Sequence, residues 1–279
     1  VNDARAAPGA VAVAAVQLRA GDDRSANLVA ASEAIREAAG GGAQVVCLPE
    51  MWPFIGSDAA KVAGAEDLGG PSISAMADLA QGLGIWLFAG SFAERCENSD
   101  RVYNCSPVID PDGEVVAVYR KIHLFDIDLA AGPTFAESDS VRPGDRLVVV
   151  DCPLGLVGLT VCYDLRFPEL YERLRRAGAE VFMVPAAFTA HTGRAHWELL
   201  LRARAVEQQC WVIAADQGGH HNPRRESYGN SMIVDPWGEV VCRLGQEPGL
   251  ALAEVDRRRT DQVRRELPCL SHRRSLSDC

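Results

Sequence analysis

The chain has 279 residues, 48% hydrophobic and 24% charged, with 25 glycines and 15 prolines, a balance that excludes collagen, coiled coil and intrinsic disorder. Its formal charge of -10 argues against an electrostatic nucleic-acid footprint, and no apolar run reaches the roughly 18 residues that a membrane span needs. Only Lys61 and Lys121 are lysine among 28 basic residues, so each raises the question of what an ammonium does there that an arginine fork does not.

Strand-like runs rich in Val, Ile and Ala are expected at residues 11–17, 44–49, 85–91, 147–151, 156–162, 181–185 and 211–215. Apolar residues at spacings of three and four predict helices over 27–39, 73–83, 168–176 and 194–208, an alternating α/β order. Two segments interrupt it and resemble each other, IDPDGEVV at 109–116 and VDPWGEVV at 234–241. Both read as hairpins, with Pro presetting φ and Gly taking the left-handed position. Their recurrence reflects either two similar halves or the commonness of such turns. After Asp256 the chain carries Arg257, Arg258, Arg259, Arg264, Arg265, Arg273 and Arg274, read as a solvated C-terminal helix and tail rather than a binding arm. No linker-like stretch divides the chain, so one domain over residues 8–274 is expected, with a tail at 275–279.

The nine cysteines contain no CxxC pair and no Cys/His cluster with zinc spacing. Such an odd, scattered set argues against a disulfide framework and for a reducing compartment, cytoplasmic or mitochondrial. The chain starts at Val1, which leaves a preceding transit peptide open. One cysteine stands apart. In Val161-Cys162-Tyr163 an apolar strand ends at a thiol, and Pro168 opens a helix shortly after. A thiol so exposed can attack a carbonyl while the Tyr163 N–H faces the developing oxyanion, although a cysteine after a strand, taken alone, is more often core. Glu50, just past Pro49, and Lys121, after an apolar hairpin, are ionisable groups at strand ends that a loop carboxylate or a snorkelling lysine would also explain. None of the six histidines sits in a diagnostic setting.

Three segments together resemble the nitrilase, or carbon-nitrogen hydrolase, superfamily: LPE at 48–50, YRKIHLFD at 119–126 and CYDLRFPEL at 162–170, in the family's order. The likeness runs nearly the whole chain. Residues 195–212 and 227–241 resemble one branch of it, amidases acting on deaminated glutathione. The resemblance implies a four-layer αββα sandwich, pairing into homodimers or larger homo-oligomers across a helical layer, no metal and no organic cofactor, and a small-molecule amide as substrate. No nucleic acid or membrane partner is expected.

The resemblance also assigns roles. Cys162 is the nucleophile, Glu50 the general base, Lys121 with the Tyr163 N–H the oxyanion donors, and Glu137 a second carboxylate that orients Lys121. Two carboxylates beside one ammonium are expected to raise the pKa of one of them. For recognition of a substrate carboxylate, Arg166 and Arg194 are the candidates by motif proximity, with Phe188 and Thr189 as pocket wall; the rival readings are that Arg166 braces the nucleophile turn and that Phe188 packs in the core. His196 is expected to set the nearby helix. Three alternatives stay open: an ω-amidase or carbamoyl-amine hydrolase on the same fold, a Cys162–His196–Asp hydrolase, and a non-catalytic interaction protein.

Overall fold

The strand β1 (Val11–Gln17) turns Val13 and Ala15 to one side and Ala14 and Val16 to the other, and all four are fully buried. A strand apolar on both faces belongs in a sheet covered on both sides. The computed structural model, which describes residues 9–128 and 134–274, builds that arrangement.

After β1 come α1 (Arg24–Gly40), β2 (Val45–Cys47), α2 (Asp58–Ala63), α3 (Pro71–Leu83), β3 (Trp86–Phe88), β4 (Phe92–Arg95), β5 (Val102–Ile109) and β6 (Val115–Arg120). Short strands β7 (Asp126–Asp128), β8 (Thr134–Ala136) and β9 (Val141–Arg142) lead into β10 (Val149–Cys152), β11 (Gly155–Leu159), α4 (Pro168–Arg176), β12 (Val181–Ala186), α5 (Ala190–Gln208) and β13 (Trp211–Asp216). The chain continues through β14 (Gly218–Asn222), β15 (Arg225–Tyr228), β16 (Met232–Val234), β17 (Val240–Arg243), β18 (Gly249–Val255) and α6 (Arg257–Glu266).

One sheet runs β18-β1-β2-β3-β5-β6 and the other β10-β11-β12-β13-β16-β17; β4 and β9 add to β5. In both paths successive neighbours are antiparallel, parallel, parallel, antiparallel and antiparallel. The two similar segments are therefore a structural repeat, each joining the last two strands of its sheet. Gly113 at φ 84° and Gly238 at φ 87° take the left-handed position. The Asp110 carboxylate accepts from the amides of Asp112 and Glu114, and Asp235 does the same for Trp237 and Glu239.

The sheets pack face to face through Val13, Ala15, Val45, Val181 and Ile213. Ala31, Ile35, Ile73 and Met76 of α1 and α3 cover the outer face of the first sheet. Leu170 and Leu174 of α4 with Trp197 and Leu201 of α5 cover that of the second, giving the expected αββα order. α1 starts at Arg24, earlier than its apolar spacing predicts, because the Asp23 carboxylate caps it by accepting from the amides of Ser25 and Ala26.

The arginine-rich end is solvated only in part: Arg258, Arg265 and Arg274 are exposed, but others bind the rest of the fold. Arg257 pairs with Glu180 at 2.8 Å, Arg259 with Asp235 at 2.8 Å and Arg273 with Glu172 at 3.0 Å, while Arg264 donates to the Gln209 carbonyl. These contacts strap α6 and the following residues onto the second half. The expected tail at 275–279, with Cys279, and the domain start at Pro8 lie outside the described residues. No helix among the described residues is long and apolar enough to cross a membrane.

Candidate active site

Strand ends place the chemistry. Beyond β2 the chain turns at Leu48-Pro49 and sets Glu50 against the other sheet, where its amide donates to the Ala186 carbonyl at 3.2 Å and its Oε2 accepts from the Ala187 N–H at 2.8 Å. Lys121 follows β6 directly; its amide donates to the Asn104 carbonyl, continuing the β5–β6 pairing, and this fixes the stem of the side chain. Glu137 opens the short 3-10 helix after β8. Cys162 begins another, past the end of β11, with φ at 48°, a conformation that costs a non-glycine residue energy and that its surroundings must hold.

The holder is Asp164, fully buried, whose carboxylate accepts from the Val161 N–H at 2.9 Å, the Tyr119 hydroxyl at 2.7 Å and the His123 N–H at 3.0 Å. Because Tyr119 and His123 flank Lys121, one carboxylate ties the lysine segment to the nucleophile turn.

These segments converge. Lys121 Nζ lies 2.9 Å from Glu50 Oε1 and 3.0 and 2.8 Å from the two Glu137 oxygens, and it is 2% exposed. Asn104 Nδ2 donates to Glu50 Oε1 at 2.8 Å and to Glu137 Oε1 at 3.2 Å, bridging both carboxylates. Glu137 Oε2 also accepts from the Phe125 N–H at 2.7 Å. Burial alone would lower the Lys121 pKa, but the charges of Glu137 and Glu50 outweigh it and hold the ammonium protonated. For Glu50, burial pulls upward and the adjacent ammonium wins, so its carboxyl lies below the ordinary value. The expectation of a raised carboxylate thus fails for Glu50, because Lys121 touches it directly. Burial first, then the Glu50 charge, pushes the Cys162 thiol well above its usual value, and the site rests as a thiol beside a carboxylate.

A cavity of about 900 Å³ opens onto Glu50, Lys121, Glu137 and Cys162. Tyr163, Phe188 and Thr189 line it as well. The Tyr163 N–H lies in the first turn of the 3-10 helix, where amides have no acceptor within the helix. Phe188 is fixed by its N–H donating to Asp216 at 2.8 Å and by its ring against Trp197.

A carbon-nitrogen hydrolase family model matches residues 12–265. The chain belongs to the carbon-nitrogen hydrolase family. It is 46% identical over 267 residues to the human protein named deaminated glutathione amidase, covering 94% of this chain and 82% of that one. Among solved structures it resembles the C. elegans NitFhit protein, with a TM-score of 0.89 and 38% identity over 96% of this chain, although it spans only 66% of that protein. It also resembles Saccharomyces cerevisiae Nit3, a member of branch 10 of the nitrilase superfamily, with a TM-score of 0.88 and 30% identity over 98% of this chain and all of that one.

In this carbon-nitrogen hydrolase neither arginine singled out from the sequence lines the cavity. Arg166 lies between the rings of Phe188 and Tyr163, 5.2 and 5.7 Å from their centroids, and donates to His196 Nδ1 at 3.2 Å. It braces the nucleophile turn against α5. Arg194 is exposed on α5. His196 is likewise outside the cavity lining, so the Cys162–His196 arrangement does not assemble.

Besides His221, the basic groups that do line the cavity are Lys121, Lys61, Arg224 and Arg225. Lys61, which sequence left without a role, pairs with Asp58 at 2.6 Å. Asn104, Asp164 and Arg225 were not singled out; Asn104 left a signal as an amide inside the apolar strand β5, and Asp164 as an acid inside the nucleophile motif at 162–170. Among the described residues no group of three His, Cys, Asp or Glu is arranged to hold a metal ion.

Proposed function

We propose that this hydrolase is an amidase that cleaves deaminated glutathione to 2-oxoglutarate and cysteinylglycine through a thioester on Cys162. The observation that carries the mechanism is the buried contact of Lys121 with both Glu50 and Glu137 beside the thiol. The substrate assignment is supported by the 46% identity to the human amidase of that name.

Cys162 attacks the amide carbonyl as Glu50 takes the thiol proton. The carbonyl π electrons move to oxygen, and the Lys121 ammonium with the Tyr163 N–H stabilises that oxyanion, each such donor being worth about 3 to 4 kcal/mol. Protonation of Glu50 weakens its hold on Lys121 just as negative charge appears on the substrate, so the ammonium follows the charge. Glu137 keeps Lys121 charged throughout. Collapse of the tetrahedral intermediate breaks the C–N bond, with Glu50 returning its proton to the leaving amine. Water, deprotonated by Glu50, then cleaves the thioester and restores the thiol.

Cysteinylglycine release from deaminated glutathione, measured beside ammonia release from 2-oxoglutaramate, tests the substrate. The reading expects the higher kcat/KM for deaminated glutathione; preference for 2-oxoglutaramate makes the protein an ω-amidase instead.

We further infer a homodimer or larger homo-oligomer formed through α5, where Leu199 is 65% exposed, Val206 45% and nearby Trp237 53%. Sedimentation of Leu199→Glu as a smaller species than wild type supports this, and an unchanged species rejects it. Eight free cysteines among the described residues support a reducing compartment, cytoplasmic or mitochondrial.

A further inference from the structure

The cavity's basic residues differ in what neutralises them. Lys121 is held by two carboxylates and Lys61 by Asp58, whereas Arg224 is exposed at the turn. Arg225 is half-buried, lines the cavity, and forms no ion pair with any described residue, and its Nε is buried without a hydrogen-bond partner. With one nitrogen cut off from water and no carboxylate in contact, this guanidinium lacks the partner that a ligand anion would supply.

The arginine is also held in place. Its hairpin, β14–β15, is pinned on both strands at its open end, where Gly218 faces Tyr228: the Gly218 N–H donates to the Leu18 carbonyl and the Tyr228 N–H to the Phe188 carbonyl, both at 2.8 Å. His221 fixes the middle, with Nδ1 2.7 Å from the Ala20 carbonyl and Nε2 2.8 Å from Ser227 Oγ. A carbonyl only accepts, so Nδ1 carries the proton and Nε2 accepts from the hydroxyl. Burial lowers the His221 pKa to about 4, keeping this neutral arrangement at physiological pH. Gln217, which leads into the hairpin, donates from Nε2 to the Glu50 carbonyl at 3.0 Å, so the hairpin that carries Arg225 adjoins the Glu50 side of the cavity, and the positive charge of Arg225 is felt at Glu50 and Asp58.

Glu50 must reach the nitrogen it protonates, so the leaving half of the substrate lies on that same side. We infer that Arg225 binds a carboxylate on the leaving amine and thereby selects amides whose departing half ends in an acid, such as a dipeptide. The inference rests on the amidase reading above. The guanidinium fork matches a carboxylate with two parallel hydrogen bonds, which neither paired lysine offers.

Arg225→Gln, in the full chain, is assayed on deaminated glutathione and on the same molecule with its terminal carboxylate converted to an amide. The expected result is a fall of about 10- to 100-fold in kcat/KM on the acid, the loss of one charge-assisted contact, with the amide form within about twofold of wild type. Arg225→Lys should restore part of the loss. Equal losses on both molecules, or no loss on the acid, overturn the inference. A second arm does not depend on turnover. In Cys162→Ala protein, calorimetry with cysteinylglycine and cysteinylglycinamide should show tighter binding of the acid, and Arg225→Gln should abolish that difference. No preference in the Arg225 protein rejects the assignment. If wild type leaves deaminated glutathione intact, the substrate reading fails while the dipeptide comparison still decides Arg225.

Discussion

Lys121 Nζ lies 2.9 Å from Glu50 Oε1, and their side chains are 2% and 4% exposed. A buried ammonium at that distance is structural as well as chemical. Removing it leaves Glu50 and Glu137 facing each other without a counter-charge. Lys121→Met is expected to cost about 3–5 kcal/mol of stability and to abolish turnover. Adding Glu137→Gln should recover part of the stability and none of the activity. Urea unfolding checks both, and wild-type stability of Lys121→Met contradicts the pairing.

Cys162 titrates high because of burial and then the negative charge of Glu50. Glu50→Gln removes that charge and leaves Lys121 to stabilise the thiolate. The pH profile of Cys162 alkylation by iodoacetamide should therefore move to lower pH, while amide turnover falls by about 10²- to 10⁴-fold, the share typical of a general base. A profile displaced to higher pH contradicts this arrangement.

Asn104 donates to both carboxylates, which favours their ionised forms. Asn104→Ala should raise the pKa of Glu50. The acid limb of kcat/KM against pH then moves upward by about one pH unit, one of these buried contacts being worth its usual 1 to 2 kcal/mol, while activity at neutral pH, above the limb, changes little. An unmoved acid limb means the amide only fills space.

Much of the scaffold was legible. The limits of β1 and α4 agree with the sequence pattern because both faces of β1 are apolar and Pro168 marks the start of α4. Lys121 and Cys162 stood out as an odd lysine among arginines and a thiol at a strand end. Glu137 was reachable only through family resemblance, since nothing local distinguishes it from other exposed-looking acids. Arg166 misled because nearness in sequence to the nucleophile does not set side-chain direction; its guanidinium packs on rings outside the cavity. Arg225 and the polar hairpin that carries it lie far along the chain, and only the closing of the two halves brings them to Glu50. The C-terminal arginines looked solvated because their partners, Glu180, Asp235 and Glu172, are scattered through the second half.

Asp164 carries the left-handed turn at Cys162 through bonds to Val161, Tyr119 and His123. Tyr119→Phe removes one of them and is expected to cost about 1 kcal/mol, whereas Asp164→Asn turns an amide N–H toward existing donors and should cost about 2–3 kcal/mol. Because the nucleophile is then misplaced, kcat should fall in Asp164→Asn with KM little changed. A loss confined to KM contradicts a positioning role.

The central claim is that the acyl half of the substrate becomes attached to Cys162. Rapid quenching of the enzyme with deaminated glutathione, followed by mass spectrometry of the digested protein, tests it directly. The account predicts a 2-oxoglutaryl group on the Cys162 peptide, formed within one turnover, removed by hydroxylamine and absent in Cys162→Ala. Turnover with no acyl group on that peptide, or Cys162→Ala retaining activity, would contradict it.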